Sequence, residues 1–275
     1  MAIIPEFDGL TVIVKIDGKT ATEYPVPEDF DQLPEEESAK QPICCFIESA
    51  SGLSFSVKAS TNSAFKAPPP FDHLTLQVWV DGNHVLGNFQ LLSEGPVKLK
   101  IDRCDQTSTI PGCVESRRLI FSSVSGVDGA TESTIDRDVR VASKIGTIKA
   151  ELSLAYGGTK VENHGSGYQI PRSDTALQLA EKSMKGRELT HGATLSTDFK
   201  IKTSVQHVAF SQMRRVATLL FFYRSRSALR KEMVLPPSPS PPPASVSVKL
   251  EDKKTRRSSL VSDLPWTILQ DIHQT

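Results

Sequence analysis

The sequence predicts a mainly β protein: a two-sheet antiparallel β-sandwich of jelly-roll-like type, with one or two short helices. Three observations favour this fold class. About ten short apolar runs are separated by turn signals. Two Asp-Gly pairs each stand between β-branched runs, and the 275 residues include 16 glycines and 18 prolines. We expect one domain over residues 1–235 and a Pro/Ser-rich disordered tail over residues 236–275.

The N-terminal half predicts strands that are joined by tight turns. In LTVIVKIDGKTATEYPVP, β-branched residues flank Asp17-Gly18, a pair that accepts the positive φ angles of a two-residue hairpin. Residues 43–60, ICCFIESASGLSFSVKAS, give an apolar run, a Ser-Gly turn and a half-buried strand. LTLQVWVDGNHVLGNFQLL predicts a second hairpin, which turns at Asp81-Gly82.

The second half of the chain contains five further apolar runs of strand length. They occupy residues 97–102, 117–124, 145–156, 193–202 and 215–224. Because β-branched and aromatic residues are frequent in them, each predicts a short strand. The many short strands disfavour an alternating α/β design.

One helix is predicted over residues 173–186, SDTALQLAEKSMKG. Ser173 or Asp174 would cap its N-terminus, and Gly186 would end it. The apolar positions recur at helical spacing: Ala176, Leu177, Ala180 and Met184.

The end of the domain is predicted near residue 235. ATLLFFYR has the composition of a final core strand, and SRSALRK that of a short polar helix or turn capped by Ser225. The prolines from Pro236 onward forbid a further helix or central strand.

Charge and composition limit the classes of partner. Lys plus Arg and Asp plus Glu each number 32, so no net charge draws the whole chain to nucleic acid or to an anionic membrane. The N-terminus lacks the features of a secretory signal, and no long apolar window predicts a membrane span. We therefore expect an intracellular protein, in the cytoplasm and/or nucleus, with no membrane partner and with its four cysteines as reduced thiols.

No common catalytic or metal-binding motif is present, and we expect no cofactor and no metal site. The nearest candidate for a site is His191 in THGATLS, which could act as a general base with support from Ser196 or Asp198. Spacing alone does not bring these residues together, and a structural histidine at the start of a strand is the simpler interpretation.

The tail carries short motifs that favour regulation. Ser238 and Ser240 each precede proline, Ser259 follows two arginines, and Lys249 lies in VKLE, a small-modifier acceptor pattern. A basic cluster typical of nuclear signals comprises Lys253, Lys254, Arg256 and Arg257. Phosphorylation would place about two negative charges beside this cluster and weaken its contacts with acidic partners.

Four segments together resemble one protein family: IIPEFDGLTVIVKIDGKTATEYPVPE, VWVDGNHV, KGRELTHGA and FFYRSRSALRKEMVLPPSPSP. They are similar to a family of uncharacterised fungal proteins, abundant in mushroom-forming fungi and carried as a domain of unknown function. The resemblance covers roughly residues 3–243. It implies an intracellular, mostly β domain with no established activity, so no residue role is transferred from it.

The sequence therefore favours a non-enzymatic protein-interaction or scaffold module whose protein partner and oligomeric state are unknown. Two alternatives stay open. One is an enzyme or small-molecule binder with a site near His191. The other, which is disfavoured, is a nucleic-acid-associated protein that uses the basic region 172–231, and it requires Arg214, Arg215, Arg224 and Arg226 on one exposed face.

Overall fold

The structure is a computed structural model, and it confirms the mainly β class within the residues that it describes. These are residues 2–4, 7–28, 30, 41–161, 177–186, 188–203 and 207–237. The predicted tail, from residue 238 onward, lies outside them.

Fifteen strands and two α-helices lie in the described residues. The first nine strands are β1 (Ala2–Ile3), β2 (Leu10–Ile16), β3 (Lys19–Thr20), β4 (Glu23–Tyr24), β5 (Ile43–Glu48), β6 (Phe55–Thr61), β7 (His73–Val80), β8 (Asn83–Leu91) and β9 (Lys98–Ile101). The other six are β10 (Arg103–Thr107), β11 (Cys113–Val127), β12 (Thr147–Val161), β13 (Leu177–Ala180), β14 (His191–Thr203) and β15 (His207–Arg224). The helices are α1 (Glu132–Ala142) and α2 (Arg226–Lys231).

The strands form three hydrogen-bonded sheets. The first has the order β1-β2-β6-β9, with β3 also paired to β2, and the second has the order β4-β5-β15-β12-β7-β8. In the third, β11 pairs with β10, β13 and β14. The pairs β5–β15 and β11–β13 are parallel, so the prediction of wholly antiparallel sheets is corrected. Such pairs join segments far apart in the sequence, where no local turn signal exists.

Both predicted Asp-Gly hairpins are confirmed. Asp17 and Gly18 have φ angles of 47° and 77° between β2 and β3. Asp81 and Gly82 have φ angles of 51° and 75° between β7 and β8. Two successive positive φ angles match the twist of antiparallel strands, which is why Asp-Gly is favoured there.

One main core joins the three sheets. Fully buried residues contributed by the first, second and third sheet include Val12, Leu76 and Leu119. A row of rings crosses the sheets: Phe55 stacks on Phe121 with 4.3 Å between centroids, and Phe121 packs on Tyr223 at 4.8 Å. Because aromatic pairs contribute beyond the area that they bury, this row is a direct link among all three sheets.

The short helix predicted after the last strand is present as α2. The Ser225 hydroxyl accepts a hydrogen bond from the backbone N–H of Ala228 at 3.2 Å and so caps the helix. Leu229 is fully buried in a smaller apolar cluster with Phe46 and Phe222. The short helix is therefore fixed by both its cap and its core contact.

The prediction of a helix over residues 173–186 is wrong for residues 177–186, the part that the structure describes. Residues 177–180 form β13, which pairs in parallel with β11, and residues 181–184 form a 3₁₀ turn. The pairing with β11 is a long-range contact that overrides the local helical spacing.

Helix α1 was not predicted, because its buried positions are not uniformly apolar. Asp138 is buried and accepts a hydrogen bond from the backbone N–H of Ala180 at 2.9 Å, while Val139 and Val141 are exposed. The clearest local signal was Thr131, whose hydroxyl caps the helix. Of the described helices, neither is long and apolar enough to cross a membrane.

The four cysteines are free thiols in the structure. Burial raises the pKa of the Cys45 and Cys104 thiols to about 12. Both therefore remain protonated near neutral pH and behave as small core residues.

Replacement of Leu229 by alanine tests whether α2 is part of the domain. We expect a loss of about 2–5 kcal/mol in the free energy of unfolding, because the change leaves a cavity beside two buried rings. Met233→Ala is the control, since Met233 is 78% exposed just after the same helix. Urea denaturation measures both, and equal small effects would contradict the role of α2.

Candidate functional site

Five residues with polar side chains lie near one another where several strands begin or end. They are Ser49, Asp81, His191, Tyr223 and Arg224, and we call them the strand-end cluster. They come from the end of β5, the β7–β8 turn, the start of β14 and the end of β15. The cluster therefore contains groups from both the second and the third sheet.

The Asp81 carboxylate is the acceptor at the centre of this cluster. The Tyr223 hydroxyl lies 2.6 and 2.7 Å from its two oxygens. Backbone N–H groups of Gly146 and Ala193 donate to it at 2.9 and 2.8 Å, and that of Thr147 donates at 3.3 Å. These donors belong to β15, the start of β12 and β14, so one side chain ties three strands to the β7–β8 turn.

Burial changes the acidity of both members of the Asp81–Tyr223 pair. Burial raises the pKa of Asp81 to about 6, although the hydrogen bonds from Tyr223 and the backbone oppose the rise. Burial and the adjacent Asp81 carboxylate hold the pKa of Tyr223 well above its usual range. The phenol proton therefore stays on Tyr223, which acts as a donor.

Arg224 is buried beside this pair and is only 2% exposed. Its Nη1 donates to the carbonyl oxygens of Gly146 at 2.9 Å and Tyr223 at 3.0 Å, and its Nε lies 3.2 Å from the Glu232 carboxylate. Gly146 has a φ of 82°, and a Cβ there would collide with the Arg224 guanidinium. A glycine is thus required at this position for two independent reasons.

The four arginines considered for nucleic-acid contact do not share one free surface. Arg224 is buried, as described above. Arg215 lies 3.3 Å from Glu151 and Arg226 lies 3.1 Å from Glu48, so both are ion-paired. Arg214 is exposed. The requirement for four contiguous exposed arginines is therefore not met.

His191 begins β14 and lies with Nδ1 2.8 Å from the Ser49 hydroxyl. Burial lowers the pKa of His191, so the ring is neutral near pH 7. Ser49 is only 3% exposed. The structure thus pairs His191 with a buried serine that sequence analysis had not singled out.

Ser196 and Asp198, the two residues considered as support for His191, have other partners. The Ser196 hydroxyl accepts from the Arg118 backbone N–H at 3.0 Å and donates to the Asp198 carbonyl at 2.7 Å. The Asp198 carboxylate lies 2.7 Å from the Arg118 guanidinium. In the described part of the chain, no hydrogen bond or ion pair joins either residue to His191, so a triad is not assembled.

An open groove of about 470 Å³ lies between α1 and the β7–β8 turn, and we call it the α1 groove. Three cations line it, Arg137, Arg140 and Lys144, together with the acids Asp81 and Asp136. Neither Ser49 nor His191 lines this groove. Within the described ranges, no group of three or more His, Cys, Asp or Glu side chains could hold a metal ion.

The candidate modification and targeting residues are not part of this geometry. Ser238, Ser240, Lys249, Lys253, Lys254, Arg256, Arg257 and Ser259 all lie outside the described residues. Their proposed roles remain predictions.

The local sequence predicts only a turn at Asp81 and only a strand at Tyr223. A signal for their contact was available, since Tyr223 ends a continuous apolar run and a buried phenol needs a hydrogen-bond partner. The identity of that partner depends on long-range pairing and could not be obtained from the local pattern.

The fold and the strand-end cluster define a mainly β domain that ends with a short capping helix. Residues 9–238 match the family model described as a domain of unknown function, DUF7918, and the chain belongs to that family. This confirms the membership of a family of unknown function that the sequence resemblance implies. No curated protein and no solved structure matches the chain.

Asp81→Asn should cost about 1–3 kcal/mol of unfolding free energy at pH 7. Asparagine tolerates the positive φ of the turn. Its amide N–H₂ group, however, would face N–H and O–H donors whose hydrogen bonds the carboxylate of Asp81 accepts. Urea denaturation monitored by fluorescence measures the loss.

The matched control for this change is Asp17→Asn. Asp17 occupies the same kind of turn with a φ of 47°, and it is exposed. We expect a change within about 0.5 kcal/mol for it. Equal losses in the two variants would show that the turn, and not the carboxylate contacts, determines the effect.

The raised pKa of Asp81 also predicts a pH dependence. Its folded pKa is about 6 and its ordinary value is 3.8, so the folded protein binds more protons between these values. The stabilisation is fully present below pH ~4 and is lost as the pH rises through about 6, by at most about 3 kcal/mol. The unfolding free energies of wild type and Asp81→Asn should therefore diverge as the pH falls from 7 to 4. A difference that does not change with pH would contradict the raised pKa.

Proposed function

We propose that the chain is a non-enzymatic protein-interaction or scaffold module that acts inside the cell, in the cytoplasm and/or nucleus. The α1 groove is the observation that carries this proposal. It is open and charged, and among the residues that the structure describes, Arg140 and Lys144 have no acidic partner for their side chains. Unpaired cations in a groove are free to contact an external partner.

The strand-end cluster supports a structural role within the domain and not a contact with an external partner. Asp81, Tyr223 and Arg224 direct their polar atoms at one another and at backbone groups. These contacts hold the polar atoms of the three residues against neighbouring strands, as in a structural hydrogen-bond network. This distribution favours a scaffold whose recognition surface lies elsewhere.

Exposed apolar side chains also support an interaction role. The rings of His73, Phe89 and Phe210 lie within 5.3 to 5.9 Å of one another on the second sheet. Phe89 is 39% exposed, and Phe210 packs across Gly158, where a Cβ would crowd its ring. Grouped aromatic side chains at a surface are typical of contact regions.

A serine hydrolase is the second candidate function, and the Ser49–His191 contact is the observation that favours it. A neutral imidazole 2.8 Å from a serine hydroxyl is the geometry of a nucleophile and its base. The 3% exposure of Ser49 opposes this candidate, because a nucleophile must reach its substrate. The nucleic-acid alternative is supported less, since three of its four arginines are buried or ion-paired.

The finer fold and source assignments belong to the same proposal. We propose that the sheets pack face to face as a jelly-roll-like sandwich, which the core shared among the three sheets supports. We also propose a fungal source, on the basis of the sequence resemblance alone.

Affinity purification of the tagged full chain from its own cells tests the proposed function. We expect a defined protein to co-purify and to bind again when both components are pure. Chains that have been denatured and have not regained the native fold serve as the binding control.

A fluorophosphonate probe provides the opposing measurement, because it labels activated serines. We expect no labelling of the wild-type chain. Labelling that disappears in both Ser49→Ala and His191→Ala, with no protein partner recovered, would overturn the proposed function in favour of a hydrolase.

A further inference from the structure

The cations of the α1 groove come from α1 and from the turn that follows it. Arg137 and Arg140 lie three residues apart on α1, Lys144 lies two residues beyond the end of the helix, and all three line the groove. The carbon chain of Lys144 packs over Gly82, where an added Cβ would collide with it. The glycine of the turn therefore positions this lysine at the groove, in addition to supplying a positive φ.

Two of these three cations form no ion pair in the described part of the chain. Arg137 directs its Nε and Nη2 to Asp138, at 3.2 and 3.0 Å. Arg140 and Lys144 have no such partner within the described residues.

The two acids of the lining form no ion pair with Arg140 or Lys144 in the described residues. The Asp81 carboxylate is occupied by Tyr223 and by backbone donors. Asp136 is the remaining carboxylate in the lining, and it stands against two free cations. Two uncharged polar side chains also line the groove. The Ser133 hydroxyl lies 3.2 Å from the Thr131 hydroxyl, and the Asn83 amide donates to the Asp81 carbonyl at 3.2 Å.

We propose that the α1 groove binds a phosphorylated serine or threonine of a partner protein, with the phosphate held between Arg140 and Lys144. This inference rests on the proposed function and names the chemistry of the partner. A phosphate dianion offers three acceptor oxygens, which suit the forked guanidinium of Arg140 and the three N–H donors of Lys144. Its charge matches the two unpaired cations.

The dimensions and charges of the groove favour a phosphopeptide over a nucleic acid. A volume of about 470 Å³ accommodates one phosphorylated residue and its neighbours. A nucleic acid would place further phosphates close to Asp136, because its charges repeat every few ångströms. The same carboxylate can accept a hydrogen bond from a peptide N–H beside the phosphorylated residue.

Nuclear magnetic resonance titrations of the full chain test this proposal. The probes are a capped Ala-phosphoSer-Ala peptide, its unphosphorylated form, inorganic phosphate, and a 20-nucleotide single-stranded DNA. We expect saturable shifts with the phosphopeptide, confined to the amides of residues 82–83 and 133–144, and none with the unphosphorylated form.

Charge variants determine which cations hold the phosphate. Arg140→Gln with Lys144→Gln should weaken phosphopeptide binding by about tenfold or more, since charge-assisted hydrogen bonds are lost. The matched control removes two exposed cations elsewhere, in Arg214→Gln with Lys200→Gln, and should change affinity by less than about twofold. Arg140→Lys with Lys144→Arg keeps both charges and should retain binding, which separates loss of charge from loss of folding.

Several results would overturn the proposal. Equal binding of both peptides, equal weakening in the control variant, or no saturable shift would each do so. Binding of inorganic phosphate alone would assign a small-anion site, and tighter groove-dependent binding of the DNA would assign nucleic acid. A recovered protein partner that binds the Arg140→Gln, Lys144→Gln chain normally would overturn this inference while leaving the interaction function in place.

Discussion

The hydrogen bonds to the Asp81 carboxylate are the constraint on which the arrangement of the sheets depends. Tyr223 and the backbone of Gly146 belong to the second sheet and its entry, whereas Ala193 belongs to the third. The Tyr223 ring continues the row Phe55–Phe121–Tyr223, which reaches the first sheet. One phenol therefore connects the apolar core to the polar cluster. A buried network of this kind rigidifies a fold only when every member is satisfied, and each oxygen of Asp81 has donors.

The same turn connects the fold with the α1 groove. Asp81 directs its carboxylate inward, while the next residue, Gly82, provides the surface on which Lys144 lies. Two adjacent residues of one turn therefore contact the buried cluster and the Lys144 side chain of the groove. A larger residue at Gly82 would displace Lys144 as well as strain the backbone, so the turn cannot change without changing the groove.

Local sequence signals account for much of the fold. Asp-Gly pairs, alternating apolar positions and the Ser225 cap act over a few residues, and the elements that they predict are present. The predictions that failed concern contacts between residues far apart in the sequence. Residues 177–180 have helical spacing but pair with β11, and α1 buries the carboxylate of Asp138, so its apolar periodicity is weak. The burial of Arg224 could not be predicted from the local sequence either, because it depends on carbonyl groups that β12 and β15 bring next to its guanidinium.

The candidate site shows why identical local sequence does not define identical roles. Asp17-Gly18 and Asp81-Gly82 make the same turn with nearly the same φ angles, yet one carboxylate is exposed and the other holds three strands. The two carboxylates differ in the residues that surround them, and the order of the strands in the sheets determines which residues those are. Stability thus depends on the inward side chain of this turn, whereas the groove cations come from α1 and the turn that follows it and occupy exposed positions. Because no side-chain hydrogen bond in the described residues joins Arg140 or Lys144 to the strand-end cluster, replacing either cation leaves the hydrogen bonds of Asp81 in place.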